Sequence, residues 1–168
     1  SARLGTAAIA GDLDATAGTG FDAQSLRVEG DAQIRAADMA IASGDIGGNA
    51  ALTSLASTTL GRLAVAGALD ASAGSELIAD DLQVGREAAL ASGGDTVIDV
   101  LSVGGALAAA AGNDLRLGTA SIAGDAALGS ARDLVVGTLE AGGLLTGEAG
   151  RHLLIQQASL AAGAQLAS

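Results

Sequence analysis

The segment 112-GNDLRLGTASIAGDAALGSARDLVVGTL-139 contains one short pattern twice. Residues 114–119 read Asp-Leu-Arg-Leu-Gly-Thr, and residues 133–138, nineteen positions further on, read Asp-Leu-Val-Val-Gly-Thr. In the first copy a polar residue separates Leu115 from Leu117, which is the two-residue period of a strand with one buried face. The pattern therefore predicts short strands that recur at a fixed spacing.

Equivalent positions nineteen residues apart keep their chemical character along most of the chain. One column is polar and mostly acidic: Thr19, Asp38, Ser57, Glu76, Asp95, Asp114, Asp133 and His152. A second becomes aliphatic after its first member: Arg27, Ile46, Val65, Val84, Val103 and Ile122. A third is glycine except at Arg86: Gly48, Gly67, Gly105, Gly124 and Gly143. These columns predict about eight repeats without insertion or deletion, of which the first two are the least regular.

A constant nineteen-residue repeat with two or three short strands and tight Gly/Asp turns is typical of one coil of a parallel β-solenoid. Coils stack about 4.7–4.9 Å apart, so eight to nine of them form a rod roughly 40 Å long. Because parallel crossovers are almost always right-handed, we predict an all-β fold, a right-handed parallel β-helix of about 8–9 coils. We expect residues 1–168 to form a single segment, an internal fragment of a much longer shaft. The predicted interior includes Val65, Val84, Val103, Ile122, Leu115, Leu134 and Leu153.

Two other repeat architectures fit the sequence less well. The stretch Leu107–Ala111 has high helix propensity, but glycine costs about 1 kcal/mol in a helix and interrupts every stretch of about fourteen residues. Leucine-rich repeats have 20–29 residues and an Asn/Cys-containing consensus, which this sequence lacks. The solenoid of short strands is therefore preferred.

The composition excludes several classes of function. The net charge is −11 and the sequence pI about 4.1, which argues against nucleic acid and anionic membranes as partners. Charged residues and glycines interrupt every apolar run, so we predict no membrane insertion. Phe21 is the single aromatic residue, and the absence of cysteine excludes a disulfide framework.

The sequence offers little for catalysis. It has one His and no Cys, Lys or Tyr, and it contains no Gly-x-Ser-x-Gly motif and no phosphate-binding loop. The acidic pairs Asp12/Asp14 and Asp80/Asp81 are of the residue type that glycosidases use. Such a site needs a groove, usually walled by long loops, and coils of constant length leave no such loops. We therefore predict that the protein is not an enzyme and has no catalytic, cofactor-binding or metal-binding residues.

Two charged sets permit a binding interpretation. Asp95, Asp114 and Asp133 should lie on neighbouring coils, where calcium could bridge them, but the Gly-Gly-x-Gly-x-Asp repeat of calcium-binding solenoids is missing. We prefer the interpretation that these aspartates accept local backbone N–H bonds in turns. Arg132 and Arg151 share a column and could form part of a glycan- or sulfate-binding strip; solvated turn positions are the preferred interpretation. His152 is likewise interpreted as a surface turn residue.

The columns, together with Val103–Ala109 (VGGALAA) and Gly112–Leu115 (GNDL), resemble the central repeats of filamentous haemagglutinin and of other large exoproteins of bacterial two-partner secretion. This resemblance implies a shaft segment of a secreted or surface-exposed adhesin of Gram-negative bacteria, which projects adhesive or effector domains. The partners it implies are flanking β-helical coils of the same polypeptide, an outer-membrane secretion partner and a host-cell glycan or protein receptor. The alternative is that the segment is itself a glycan- or protein-binding module.

Overall fold

The computed structural model describes all residues 1–168 and contains only β-strands, turns and bends. Eighteen strands form two nine-stranded sheets, and every strand pairs in parallel with the strand two further along the chain. Each coil of the chain contributes one strand to each sheet, which gives nine coils. The protein is therefore a parallel β-solenoid, as predicted, and no helix is present that could cross a membrane.

The two sheets differ in strand length. The long-strand sheet contains β1 (Ala2–Ile9), β3 (Gly20–Val28), β5 (Asp38–Ile46), β7 (Thr58–Val65), β9 (Leu77–Val84), β11 (Thr96–Val103), β13 (Leu115–Ile122), β15 (Asp133–Ala141) and β17 (His152–Leu160). The short-strand sheet contains β2 (Leu13–Thr16), β4 (Ala32–Ala36), β6 (Ala50–Ser54), β8 (Leu69–Ala73), β10 (Ala88–Ser92), β12 (Leu107–Ala111), β14 (Ala126–Ser130), β16 (Leu145–Ala149) and β18 (Ala164–Ala167). Coil 1 consists of β1 and β2, and the remaining coils follow in order.

The register between coils follows the predicted columns over most of the rod. Leu115 pairs with Leu134 and Leu117 with Val136, so the two copies of the opening pattern lie directly on one another. The alanine-rich segment Leu107–Ala111 is strand β12, because alternate residues of it are buried between the two sheets. Nineteen residues separate paired positions in every step but one.

The exception is the step from coil 2 to coil 3, which is eighteen residues long. Phe21 pairs with Met39, and Ala32 pairs with Ala50. The prediction of a repeat without insertion or deletion is therefore wrong at this point. Ala36 and Met39 are three positions apart, whereas their equivalents on the next coil, Ser54 and Thr58, are four apart, so the missing residue lies in the turn from β4 to β5.

This deletion explains why the first two repeats look irregular in the sequence. With the correct register, the interior columns contain Phe21, Leu26 and Val28 on coil 2 rather than Gly20, Ser25 and Arg27. These three side chains are fully buried. The interior of coil 2 is therefore as apolar as that of the later coils, and only its alignment is shifted by one residue.

The space between the sheets holds one continuous core of 43 buried apolar residues. Of the predicted interior residues, Val65, Val84, Val103, Ile122, Leu115 and Leu134 are buried. Leu153 is only half-buried because it lies on β17, the last strand of its sheet. Burying an aliphatic side chain of this size contributes about 1.5–3 kcal/mol, so each coil stabilises the next mainly through these stacks.

Glycines at the corners serve the close stacking of coils rather than an unusual backbone conformation. No glycine has a positive φ. At Gly112, a Cβ atom would overlap the carbonyl group of Gly93 on the preceding coil. Leu55 occupies the same column on the coil that follows the shortened turn, and its side chain is 78% exposed.

Candidate functional site

The acidic column lies at the corner where each coil enters the long-strand sheet. The Asp95 carboxylate accepts a hydrogen bond from the backbone N–H of Asp114 (3.2 Å), and the Asp114 carboxylate accepts one from the N–H of Asp133 (3.3 Å). The donors are nineteen residues away, on the next coil, so the prediction of local bonds within the turn is wrong. Each aspartate fastens one coil to its successor, and together they form what we call the acidic ladder.

Arginine and histidine side chains lie beside the acidic ladder on coils 7 to 9. Asp114 contacts the Arg116 guanidinium at 2.8 Å and lies 3.8 Å from that of Arg132. Asp133 contacts Arg151 at 3.2 Å and His152 Nδ1 at 2.9 Å. The hydrogen bond with His152, followed by that with Arg151, lowers the pKa of Asp133 below its ordinary value.

These contacts account for the charged candidates at this corner. Arg132 and Arg151 both pair with aspartates of the acidic ladder, so they do not form a free cationic strip. No three His, Cys, Asp or Glu side chains come together in an arrangement that could hold a metal ion. His152 is exposed and contacts Asp133, with no serine or threonine hydroxyl within hydrogen-bond distance of its ring.

The two acidic pairs lie on different sheets of the rod. The Asp12 carboxylate accepts the backbone N–H of Asp31 (2.9 Å), while Asp14 lies in strand β2. Asp81 pairs with Arg62 of the preceding coil at 3.0 Å. The structure therefore does not bring these pairs together into one site.

A second ladder, which the sequence columns did not reveal, lies at the corner before the short strands. The Asp31 carboxylate accepts the backbone N–H of Asn49 (2.7 Å), and the side-chain Oδ1 of Asn49 accepts the N–H of Ala68 (3.0 Å). Further along the rod, Asp125 accepts the N–H of Leu144 (2.7 Å). A strict nineteen-residue step from Asp31 arrives at Ala50 instead of Asn49, so the one-residue deletion conceals this column.

Beside this second ladder runs an open groove, which we call the alanine groove. It has a volume of about 840 Å³ and extends along the rod axis from coil 2 to coil 8. The corner wall is formed by Asp31, Asn49, Ala68, Glu87, Ala106, Asp125 and Leu144. The sheet wall is formed by Gln33, Ala51, Asp70, Ala89, Ala108, Ala127 and Thr146. The floor is the backbone of the inward-facing Ala32, Ala50, Leu69, Ala88, Leu107 and Ala126.

No long inserted loop walls the groove, as expected for coils of nearly constant length; it forms instead between two rows of outward-facing side chains. Of its 20 lining residues, 13 are apolar. All four charged ones are acidic: Asp31, Asp70, Glu87 and Asp125. The groove therefore offers methyl groups and anionic hydrogen-bond acceptors to a ligand, and neither an imidazole nor a cationic group.

No family model matches this chain, and no curated protein or solved structure matches it. The nine-coil parallel solenoid is compatible with a β-helical repeat protein. The resemblance to filamentous haemagglutinin is carried by the sequence columns alone.

Proposed function

We propose that this chain is a shaft segment of a large secreted or surface-exposed filamentous adhesin of Gram-negative bacteria. Its task is to carry adhesive or effector domains away from the cell surface. The observation that carries the proposal is that two parallel sheets run without interruption through all nine coils. A rod of constant cross-section is what a spacer requires, and the proposal assigns no catalysis to it.

The backbone hydrogen bonds support a mechanical role because they continue through the corners. Gly112 and Asn113, which lie in a turn, donate their N–H groups to Ser92 and Gly94 of the preceding coil at 2.9 Å. The chain forms 133 such backbone bonds, so strands and turns alike are tied to the neighbouring coil. A protease must open several of these bonds before it can bind an extended segment.

The proposed partners follow from this role. Further coils of the same polypeptide would stack on the first and last strands, an outer-membrane partner would export the parent protein, and a host receptor would bind the domains that the shaft carries. The net charge of −11 would keep neighbouring shafts apart in solution. Glycan binding by the segment itself is less favoured because stacking on sugar rings needs exposed aromatic side chains, and Phe21 is fully buried.

The test is to insert residues 1–168, in register, into the shaft of a two-partner secretion exoprotein. We expect normal secretion and filaments about 43 Å longer by electron microscopy, since nine coils each add about 4.8 Å. Retention inside the cell, or a filament that is kinked or cut by protease at the insertion, would overturn the proposal.

A matched pair of variants controls for folding in this experiment. Val103 is buried, whereas the neighbouring Ser102 faces outward. The Val103→Asp insertion should be cut at lower protease concentrations because it buries an unpaired charge, and the Ser102→Asp insertion should behave as the unchanged sequence.

A further inference from the structure

The alanine groove is a surface feature that a shaft does not need. We propose that it binds an extended, cationic polypeptide segment that lies along the rod axis. This inference goes beyond the proposed function and does not depend on it, because a groove of this chemistry would act in the same way in a protein that is not a shaft.

The length of the groove fits a short peptide. Its walls run from Asp31 on coil 2 to Thr146 on coil 8. Six steps of about 4.8 Å make roughly 29 Å, which a chain in the polyproline II conformation spans with about nine residues at 3.1 Å each. The alanine methyl groups on both walls leave room for the backbone of such a chain to approach the floor.

The charges of the groove select a cation. Asp31, Asp70, Glu87 and Asp125 lie on coils 2, 4, 5 and 7, so their spacings along the axis are about 10, 5 and 10 Å. Asp70 and Glu87 form no ion pair or side-chain hydrogen bond within the chain. Asp31 and Asp125 use only Oδ1 for the backbone of the next coil.

The carboxylates of the groove differ from Asp114 and Asp133 of the acidic ladder because no basic side chain lies beside them. At the other corner, Arg116 lies beside the Asp114 carboxylate, and Arg151 and His152 contact that of Asp133. The groove has no such internal partner, so its carboxylates stay available to an external one. In a peptide with the polyproline II conformation, side chains three residues apart lie on the same side of the chain and about 9 Å apart, which is close to the two-coil spacing of Glu87 and Asp125 on the corner wall.

Other occupants fit less well. A second copy of the chain would bring acidic walls against acidic walls, and like charges placed opposite each other oppose association. Nucleic acid is excluded for the same electrostatic reason. A polypeptide with arginine or lysine at every third position and small residues between them complements both the carboxylates and the alanine methyl groups.

The test uses the full chain and a fluorescein-labelled peptide of sequence (Arg-Ala-Ala)₃, with fluorescence anisotropy at low salt as the readout. We expect saturable binding that the corresponding (Glu-Ala-Ala)₃ peptide does not show. The variant Asp70→Asn/Glu87→Gln should bind the arginine peptide at least about fivefold more weakly. Ala108→Gln, which fills the sheet wall without a change of charge, should weaken binding by about tenfold or more.

The matched control is Asp45→Asn/Glu140→Gln, which removes the same charge from the outer face of the long-strand sheet. Its affinity should stay within about twofold of the unchanged protein. Equal losses in both double variants would overturn the proposal, because the net charge alone would then explain binding. Absence of binding, or an Ala108→Gln affinity equal to that of the unchanged protein, would also overturn it. So would a dimer in sedimentation that Ala108→Gln dissociates, since the groove would then join two copies of the chain.

Discussion

At the scale of single residues, two hydroxyl pairs occupy equivalent positions two coils apart. Ser54 bonds to Thr58 at 2.7 Å, and Ser92 bonds to Thr96 at 2.8 Å, thirty-eight residues further on. Ser130 is the next serine in this series, but its equivalent partner is Leu134. The Ser130 hydroxyl is buried and has no hydrogen-bond partner. A buried hydroxyl without a partner costs about 1–3 kcal/mol of stability.

We predict opposite effects for two identical substitutions in this series. Ser130→Ala should leave the free energy of unfolding unchanged or raise it by up to about 1 kcal/mol, because it removes an unsatisfied group. Ser92→Ala should lower it by about 1–2 kcal/mol, because the fully buried Thr96 hydroxyl loses its partner. Urea unfolding followed by circular dichroism measures both. Equal destabilisation by the two variants would contradict this account of Ser130.

At the scale of elements, the ladders decide how firmly one coil is attached to the next. In the acidic ladder Asp95 and Asp114 accept backbone N–H groups of the following coil, whereas Asp133 contacts the Arg151 and His152 side chains of that coil. Arg116 lies beside Asp114. The ladder before the short strands makes the same kind of bond from Asp31, Asn49 and Asp125 but has no cations beside it. Asp114 and Asp133 at the first corner are therefore paired with basic side chains of the chain, whereas Asp31 and Asp125 at the second corner are not.

The lowered pKa of Asp133 predicts a loss of stability in acid. A carboxyl whose pKa is lower in the folded than in the unfolded state stabilises the fold above the unfolded value of about 3.9, and this contribution is lost as the pH falls through the folded value. Asp133→Asn should therefore be less stable than the unchanged protein at pH 5.5, and the difference should shrink at pH 2.5. Urea midpoints at the two pH values measure it.

Asp99 provides the control for this pH dependence. It is exposed, lies on the same sheet, and forms no ion pair. Asp99→Asn changes the net charge by the same amount, so its midpoint should differ little from that of the unchanged protein at either pH. A pH-dependent difference as large as that of Asp133→Asn would assign the effect to net charge instead of to the contacts with His152 and Arg151.

At the scale of the whole molecule, the rod is a one-dimensional array in which each coil contacts only its neighbours. Parallel pairing stacks equivalent residues, so the interior survives only if each coil keeps its register. The one shortened turn, between β4 and β5, keeps the strands on both sides in register because the missing residue lies at a corner. A change of length inside a strand would instead shift the register of the strand itself.

We therefore predict that removal of one whole coil is tolerated better than removal of one residue. Deletion of residues 88–106 joins Glu87 to Leu107, and Leu107 is the residue that pairs with Ala88. The shortened chain should retain its far-ultraviolet spectrum and a cooperative thermal transition. Deletion of Ser102 alone, inside β11, should lower the melting temperature by more. The side chains on one side of the deletion would then point to the opposite face of the sheet, so buried residues would become exposed. A lower melting temperature for the coil deletion would contradict the array model.

Much of this fold was predictable from the sequence, because its information is local and repeated. Alternation in Leu115–Arg116–Leu117 predicts a strand, and recurrence after nineteen residues predicts that equivalent strands stack. The burial of Val103 and Leu134 follows from these two periods alone. The two-residue and nineteen-residue periods can both be read from the order of residues along the chain, without knowing which residues are in contact in the folded protein.

The tertiary structure decided the features that depend on contacts between coils. Among so many alanines and glycines, several alignments of coils 2 and 3 look alike, and only the burial of Phe21, Leu26 and Val28 together selects the eighteen-residue step. That step in turn places Asn49 in the ladder with Asp31. The alanine groove lies between two rows of side chains from seven coils, so no local segment contains its pattern. Sequence determined the repeat, whereas the stacking of coils determined which carboxylates lie beside basic side chains of the chain and which do not.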